Sequence, residues 1–122
     1  MKLGKRDINE RAFKFAIRVI SLCKSLSRDE TNRILINQVV RSVTSIGANL
    51  EEATGAHTRP VFINCTNIAR REARETDYWL RLIYEIDNRV IKDLMDDLLK
   101  ESNEIISILT ASVKKLQQNS KK

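Results

Sequence analysis

Two carboxylates, Glu72 and Glu75, stand three residues apart in a stretch that otherwise reads as an apolar helix face. Glu72 falls in the middle of the stripe formed by Cys65, Ile68, Ala69, Thr76 and Trp79, and Glu75 falls at its edge. That position calls for burial, and an unpaired buried charge is costly. Two arrangements answer the cost. One is an acid/base or metal site of the kind helical bundles build from Glu-x-x-His pairs. The other is a polar network in which the carboxylates meet partners on a neighbouring helix. The single histidine, His57, lies in Gly-Ala-His-Thr-Arg-Pro (55–60), the clearest loop of the chain. It leaves Glu72 and Glu75 without a Glu-x-x-His companion, and no Ser-His-Asp arrangement can be built around it. There is no Gly-rich phosphate loop and no dinucleotide fingerprint. The expectation is therefore a structural network of Arg41, Ser42, Ser45, Asn49, Glu72 and Glu75, with Arg41 the first partner of Glu72. No catalytic residue, metal or cofactor is expected.

A second constellation is electrostatic. The net charge of +6 is unevenly placed. Residues 1–28 carry Lys2, Lys5, Arg6, Arg11, Lys14, Arg18, Lys24 and Arg28 against Asp7 and Glu10, which is 8 − 2 = +6, so the remainder sums to zero. Arg11, Lys14 and Arg18 share one helical face, a turn apart. Such a row suits an acidic partner such as RNA or DNA, held through its phosphates; it also suits a plain solvated face. No exposed aromatic set is interleaved with it, so base stacking has little support there. Phe13, Ile17 and Ile20 form an i, i+4, i+7 row displaced from the core stripe toward this basic side. One bundle cannot easily bury both stripes, and the extra row is expected to be a subunit interface.

These residues need helices to position them. The chain has 122 residues, three glycines and one proline, which leaves few turns and favours an all-helical chain with a single core. The first helix is predicted over about 6–26, with Ile8, Ala12, Phe15, Ala16, Val19, Leu22, Cys23 and Leu26 on one side. Ser27-Arg-Asp-Glu30 fits a capping box for a second helix over about 30–53, striped by Leu35, Val39, Val43, Ile46 and Leu50 and stopped by Gly55. Beside that stripe, Ser42, Ser45, Asn49 and Glu52 line up at i, i+3, i+7 and i+10. Small and polar residues in that place let helices approach and bond across the gap. Pro60 opens a third helix over about 60–86, through Phe62, Ala73, Leu80 and Ile83. The fourth, over about 93–117, carries Leu94, Met95, Leu98, Ile105, Leu109, Val113 and Leu116, and 119–122 reads as a frayed tail. The fold expected for 1–122 is an all-α, antiparallel up-down-up-down four-helix bundle. No run of apolar residues is long enough to span a membrane, no secretory leader follows the first charges, and both cysteines fall on apolar faces as reduced thiols. The cytoplasm is the expected compartment.

The motifs Ser45-Ile46-x-Ala48-Asn49-Leu50-x-Glu52, Phe62, Ile68-Ala69, Glu72-Ala-Arg-Glu75-Thr and Tyr78-Trp79-Leu80-x-Leu82 resemble a bacterial four-helix-bundle family. That family is first known as the protein encoded in 23S rRNA intervening sequences, and it includes the accessory variability determinants of diversity-generating retroelements. The resemblance covers essentially the whole chain. Two positions depart from the family pattern: Gly47 where proline is usual, and Ala53 where glycine is frequent. Both are compatible with a helix. The resemblance implies a homopentameric ring of bundles and, for the retroelement branch, binding to nucleic acid and to a reverse transcriptase. Two functions follow as competing expectations. One is a non-enzymatic oligomeric accessory protein that binds nucleic acid, or a nucleic-acid enzyme, through its basic first helix. The other is a structural or protein-interaction module whose basic residues only solvate it.

Overall fold

In a computed structural model of the protein, the backbone is described for residues 3–120 and the side chains for residues 7–119. Lys2, Lys121 and Lys122, and the side chains of Lys5 and Arg6, lie outside the described residues. Four helices follow in order: α1 (Leu3–Ser25), α2 (Glu30–Thr54), α3 (Arg59–Ile86) and α4 (Lys92–Ser120). Each packs against its two neighbours in a closed square, and α1 is diagonal to α3. This is the antiparallel up-down-up-down bundle. The α1–α4 seam is the thinnest of the four.

The apolar stripes meet in one core. Phe15, Val19, Val39, Val43, Ile46, Leu80, Ile83, Leu98 and Ile105 are fully enclosed. Ala12, Ala69 and Ala73 are enclosed among them. Cys23 is buried without a disulfide, and loss of water pushes its thiol up to about 11. Cys65 is free and only half-buried.

Three local expectations need correction. Asp29, not Ser27, caps α2: its Oδ1 accepts from the Asn32 N–H at 2.8 Å. The helix begins at Glu30, so residue 29 is the one whose side chain can reach its first turn. Leu94 is 39 % exposed. It lies beside the line through Met95, Leu98 and Ile105, in a first turn that its neighbours do not cover. The fourth helix also runs on to Ser120, so Asn119 and Ser120 belong to it. Elsewhere the stops act as the sequence suggests. The Gly55 N–H returns to Glu51 O, the Thr58 hydroxyl accepts from the Val61 N–H, and Pro60 lies in the first turn of α3.

The two turns at one end of the bundle are tied together by Asp87. Its Oδ2 accepts from Asn32 Nδ2 at 3.2 Å, and its Oδ1 accepts from the N–H and the Nε of Arg89. Asn32 also donates to Ser27 O, and the Arg89 guanidinium reaches the Ser27 hydroxyl. The Arg89 backbone N–H, then its guanidinium, hold the Asp87 carboxyl below its ordinary 3.8. A depressed carboxyl contributes stability above its unfolded value and loses it as pH falls through the folded value. Asp87→Asn is therefore expected to lower the urea midpoint near about pH 6 and to lower it by less near about pH 3. Equal loss at both would remove the carboxylate as the cause.

Candidate functional site

The outward side of α1 carries two features at once. Phe13 is 67 % and Ile17 51 % exposed, and Ile20 is half-buried at the same edge. None of the three belongs to the core or to the half-buried side chains packed against it. The helical phase explains this: Phe15 and Val19 take the inward positions, which turns Phe13 and Ile17 outward.

The basic row on the same helix is unequal. Arg11 is engaged with α4: its Nε and Nη2 donate to the two Glu101 oxygens at 2.9 and 2.7 Å, and Nη2 also reaches Glu104 Oε1 at 2.6 Å. These bonds, that to Glu101 foremost, raise the Arg11 guanidinium above its ordinary value and lower the Glu101 carboxyl. Arg11 thus clamps the thin α1–α4 seam. Lys14 makes an exposed pair with Glu10 at 3.5 Å, of the kind worth little in water. Arg18 is exposed and has no hydrogen bond or ion-pair contact among the described residues. The exposed positive charge on this face is that of Lys14 and of Arg18, whose charge also helps to lower the Glu101 carboxyl, after the Arg11 bond.

The α2–α3 polar residues divide into three small groups. Arg41 spans both carboxylates: its Nη2 meets Glu75 Oε1 closely, and its Nη1 lies 3.5 Å from Glu72 Oε1. Trp79 Nε1 donates to the same Glu75 oxygen at 3.3 Å. Thr76 donates across to Ser42 at 2.8 Å in the buried centre of the interface. Asn49 bonds back to Ser45, within α2, and does not reach the carboxylates. Glu72 is largely buried, with its side chain 18 % exposed, and its Oε1 has no hydrogen bond. Arg41→Ala would leave both carboxylates without a cation, whereas Glu72→Ala leaves Arg41 with Glu75. Since Arg41 and Glu75 are partly in water, Arg41→Ala is expected to cost about 1–2 kcal/mol and Glu72→Ala about 1 kcal/mol or less. Urea denaturation of both single variants and the double variant gives the coupling, and the reverse ranking would mean that Arg41 does not hold Glu72.

Among the described residues no three His, Cys, Asp or Glu side chains come together as a metal set, and His57 sits exposed in the α2–α3 loop. A recess of 280 Å³ opens at the end of the bundle where α1 begins, among Ile8, Leu50, Phe62 and Leu116. Among the described residues its lining holds no titratable group. The cross-helix bond from the buried Ser102 hydroxyl to Asp77, at 2.6 Å, was not foreseen from sequence. A serine on the α4 stripe, at the same spacing as Leu98, Ile105 and Leu109, is the signal that marks it.

The profile of the 23S rRNA-intervening sequence protein family matches residues 5–111. No curated protein matches the chain. A crystal structure of a protein with unknown function, from the S23 ribosomal protein family of Bacteroides thetaiotaomicron, is similar at 34 % identity, over 91 % of this chain and 98 % of that one, with a TM-score of 0.82.

Proposed function

The chain belongs to the 23S rRNA-intervening sequence protein family, and from that premise we propose that it is a non-enzymatic, self-associating bundle that binds RNA or DNA, or a nucleic-acid enzyme such as a reverse transcriptase, through its basic surface. The observation that carries this is the placement of charge: the whole excess of +6 falls in residues 1–28, with Lys14 and Arg18 exposed on α1. A ring of copies, five by the family resemblance, multiplies that charge on one surface, and phosphate contacts add with each copy. The protein contains no helix long and apolar enough to cross a membrane among the described residues, and we place its work in the cytoplasm.

The test is binding of a generic RNA and a duplex DNA at about 50 and about 200 mM salt. Affinity should depend weakly on sequence and fall steeply with salt, with a slope of about −0.9 per neutralised phosphate on duplex DNA. Lys14→Glu with Arg18→Glu should abolish the contribution of that face of α1. Arg11 is left in place in that variant, because reversing it would set a third carboxylate beside Glu101 and Glu104 and loosen the α1–α4 seam. Absence of binding by the parent at low salt would shift the assignment to a protein-interaction module, a reading that the engagement of Arg11 with α4 favours.

A further inference from the structure

The outer side of α3 carries a row that the charge sum along the chain conceals. Arg71, Arg74, Tyr78 and Arg81 follow one another at i, i+3, i+7 and i+10, and all four are exposed. At 1.5 Å per residue the row is about 15 Å long. Arg71 and Arg74 make no hydrogen bond or ion pair among the described residues. Arg81 donates to Asp77 at 3.0 Å, and that carboxylate is held from behind by Ser102. The carboxylates on or beside this side are Asp77 and Glu75, both already engaged, and Glu85, one turn beyond Arg81.

Tyr78 gives the row a second character. It is 49 % exposed and braced on two sides. Its ring meets Trp79 edge-on at 5.1 Å and 74°, and the Arg81 guanidinium carbon lies 5.8 Å from its centroid. Trp79 is in turn fixed by Glu75. An aromatic ring held in place between arginines is the pairing that single strands use: cations follow the phosphates and the ring accepts an unpaired base.

Position completes the case. α3 is diagonal to α1, so its outer side points away from Phe13 and Ile17. If α1 packs against another copy, Lys14 and Arg18, which flank those residues, are drawn into or beside that contact. The α3 row lies on the helix diagonal to that stripe and shares no residue with it. We propose that the Arg71–Arg74–Tyr78–Arg81 ridge of α3 binds a single-stranded segment of RNA, with Arg71 and Arg74 on phosphates and Tyr78 stacked on a base. RNA loops and ends present such unpaired bases, and a duplex hides them. This rests on the nucleic-acid reading above and moves the principal contact from α1 to α3.

The experiment is fluorescence anisotropy at low salt with a labelled single-stranded oligouridylate and, separately, an RNA duplex of the same length. Arg71→Glu with Arg74→Glu should weaken binding to the single strand at least tenfold and flatten its salt dependence by about 1.4, at about 0.7 per phosphate. Arg71→Gln with Arg74→Gln should act in the same direction. Tyr78→Ala should weaken single-strand binding about five- to 150-fold, the range for loss of one stacked base, and leave duplex binding nearly unchanged. Circular dichroism and sedimentation should match the parent for each variant. If the arginine and tyrosine variants bind like the parent while Lys14→Glu with Arg18→Glu abolishes binding, the ridge proposal falls and the α1 reading stands. If only the tyrosine variant is silent, the single-strand assignment falls. If the parent binds neither RNA, both fail.

Discussion

Phe15→Ala is expected to cost about 3–5 kcal/mol, a large part of the stability of a domain this size. Phe15 is 1 % exposed and sits on α1 with Val19 on the same inward line. Truncation removes the apolar contacts of the ring and leaves a void that the surrounding helices fill only partly. The loss bears hardest on α1, because its seam with α4 is the thinnest in the bundle and depends on the Arg11 clamp. Urea midpoints of Phe15→Ala and Phe13→Ala make the comparison: the same substitution two residues away, on the exposed side, should cost well under 1 kcal/mol in the isolated bundle. Similar losses at both positions would mean that the phase assigned to α1 is wrong.

The fold was legible because its signals are local and periodic. All five residues of the α2 stripe are buried, as are seven of the eight named on α1, with Ala16 half-buried. Each stripe repeats at the helical period over about four turns or more, so an error of one residue at either end does not change which face turns inward. Gly55 and Pro60 punctuate the chain through backbone constraints that act within a single turn. The errors are at the ends. Ser27 and Asp29 are both good caps, and only the start of the helix decides between them. Leu94 has the right residue type and lies in a first turn with too few neighbours to cover it.

The candidate surfaces were harder to read, because a charge is neutralised by its partner in space and not by its neighbour in sequence. Arg11 looked like a free member of a basic row. Its partners, Glu101 and Glu104, are 90 and 93 residues away. The α3 arginines were hidden for the opposite reason. Summed along the chain, Arg71, Arg74 and Arg81 cancel against Glu72, Glu75 and Asp77. Folding sends Glu72 and Glu75 toward Arg41 on α2, ties Asp77 to Ser102 and Arg81, and leaves Arg71 and Arg74 outside. A helix separates by angle what a running sum adds together. The Glu72–Arg41 pairing was legible because burial makes a specific demand: a carboxylate on an apolar stripe needs a cation on the helix it packs against.

Ile17→Glu is expected to convert an oligomer into monomers while leaving the helical content of each bundle nearly unchanged. Ile17 is half exposed, lies between Phe13 and Ile20 on one line, and is not part of the buried core. If that line is covered by another copy, the substitution places a carboxylate in a contact built for an alkyl side chain. The cost of an unpaired buried charge, several kcal/mol, is then incurred at every interface of a closed ring. Lys14, one turn before it, and Arg18, the next residue, offer partial compensation, so Ile17→Lys, which has no such relief, should dissociate the ring at least as completely. Sedimentation equilibrium at micromolar concentration reads the outcome. A parent that is already monomeric, or an Ile17→Glu variant that keeps the parent's mass, would remove the α1 stripe as the subunit contact. Because Ile17 is half exposed and outside the buried core, circular dichroism and the denaturant midpoint at high dilution should move little. A variant that loses its helicity would instead place Ile17 inside the fold, against its exposure.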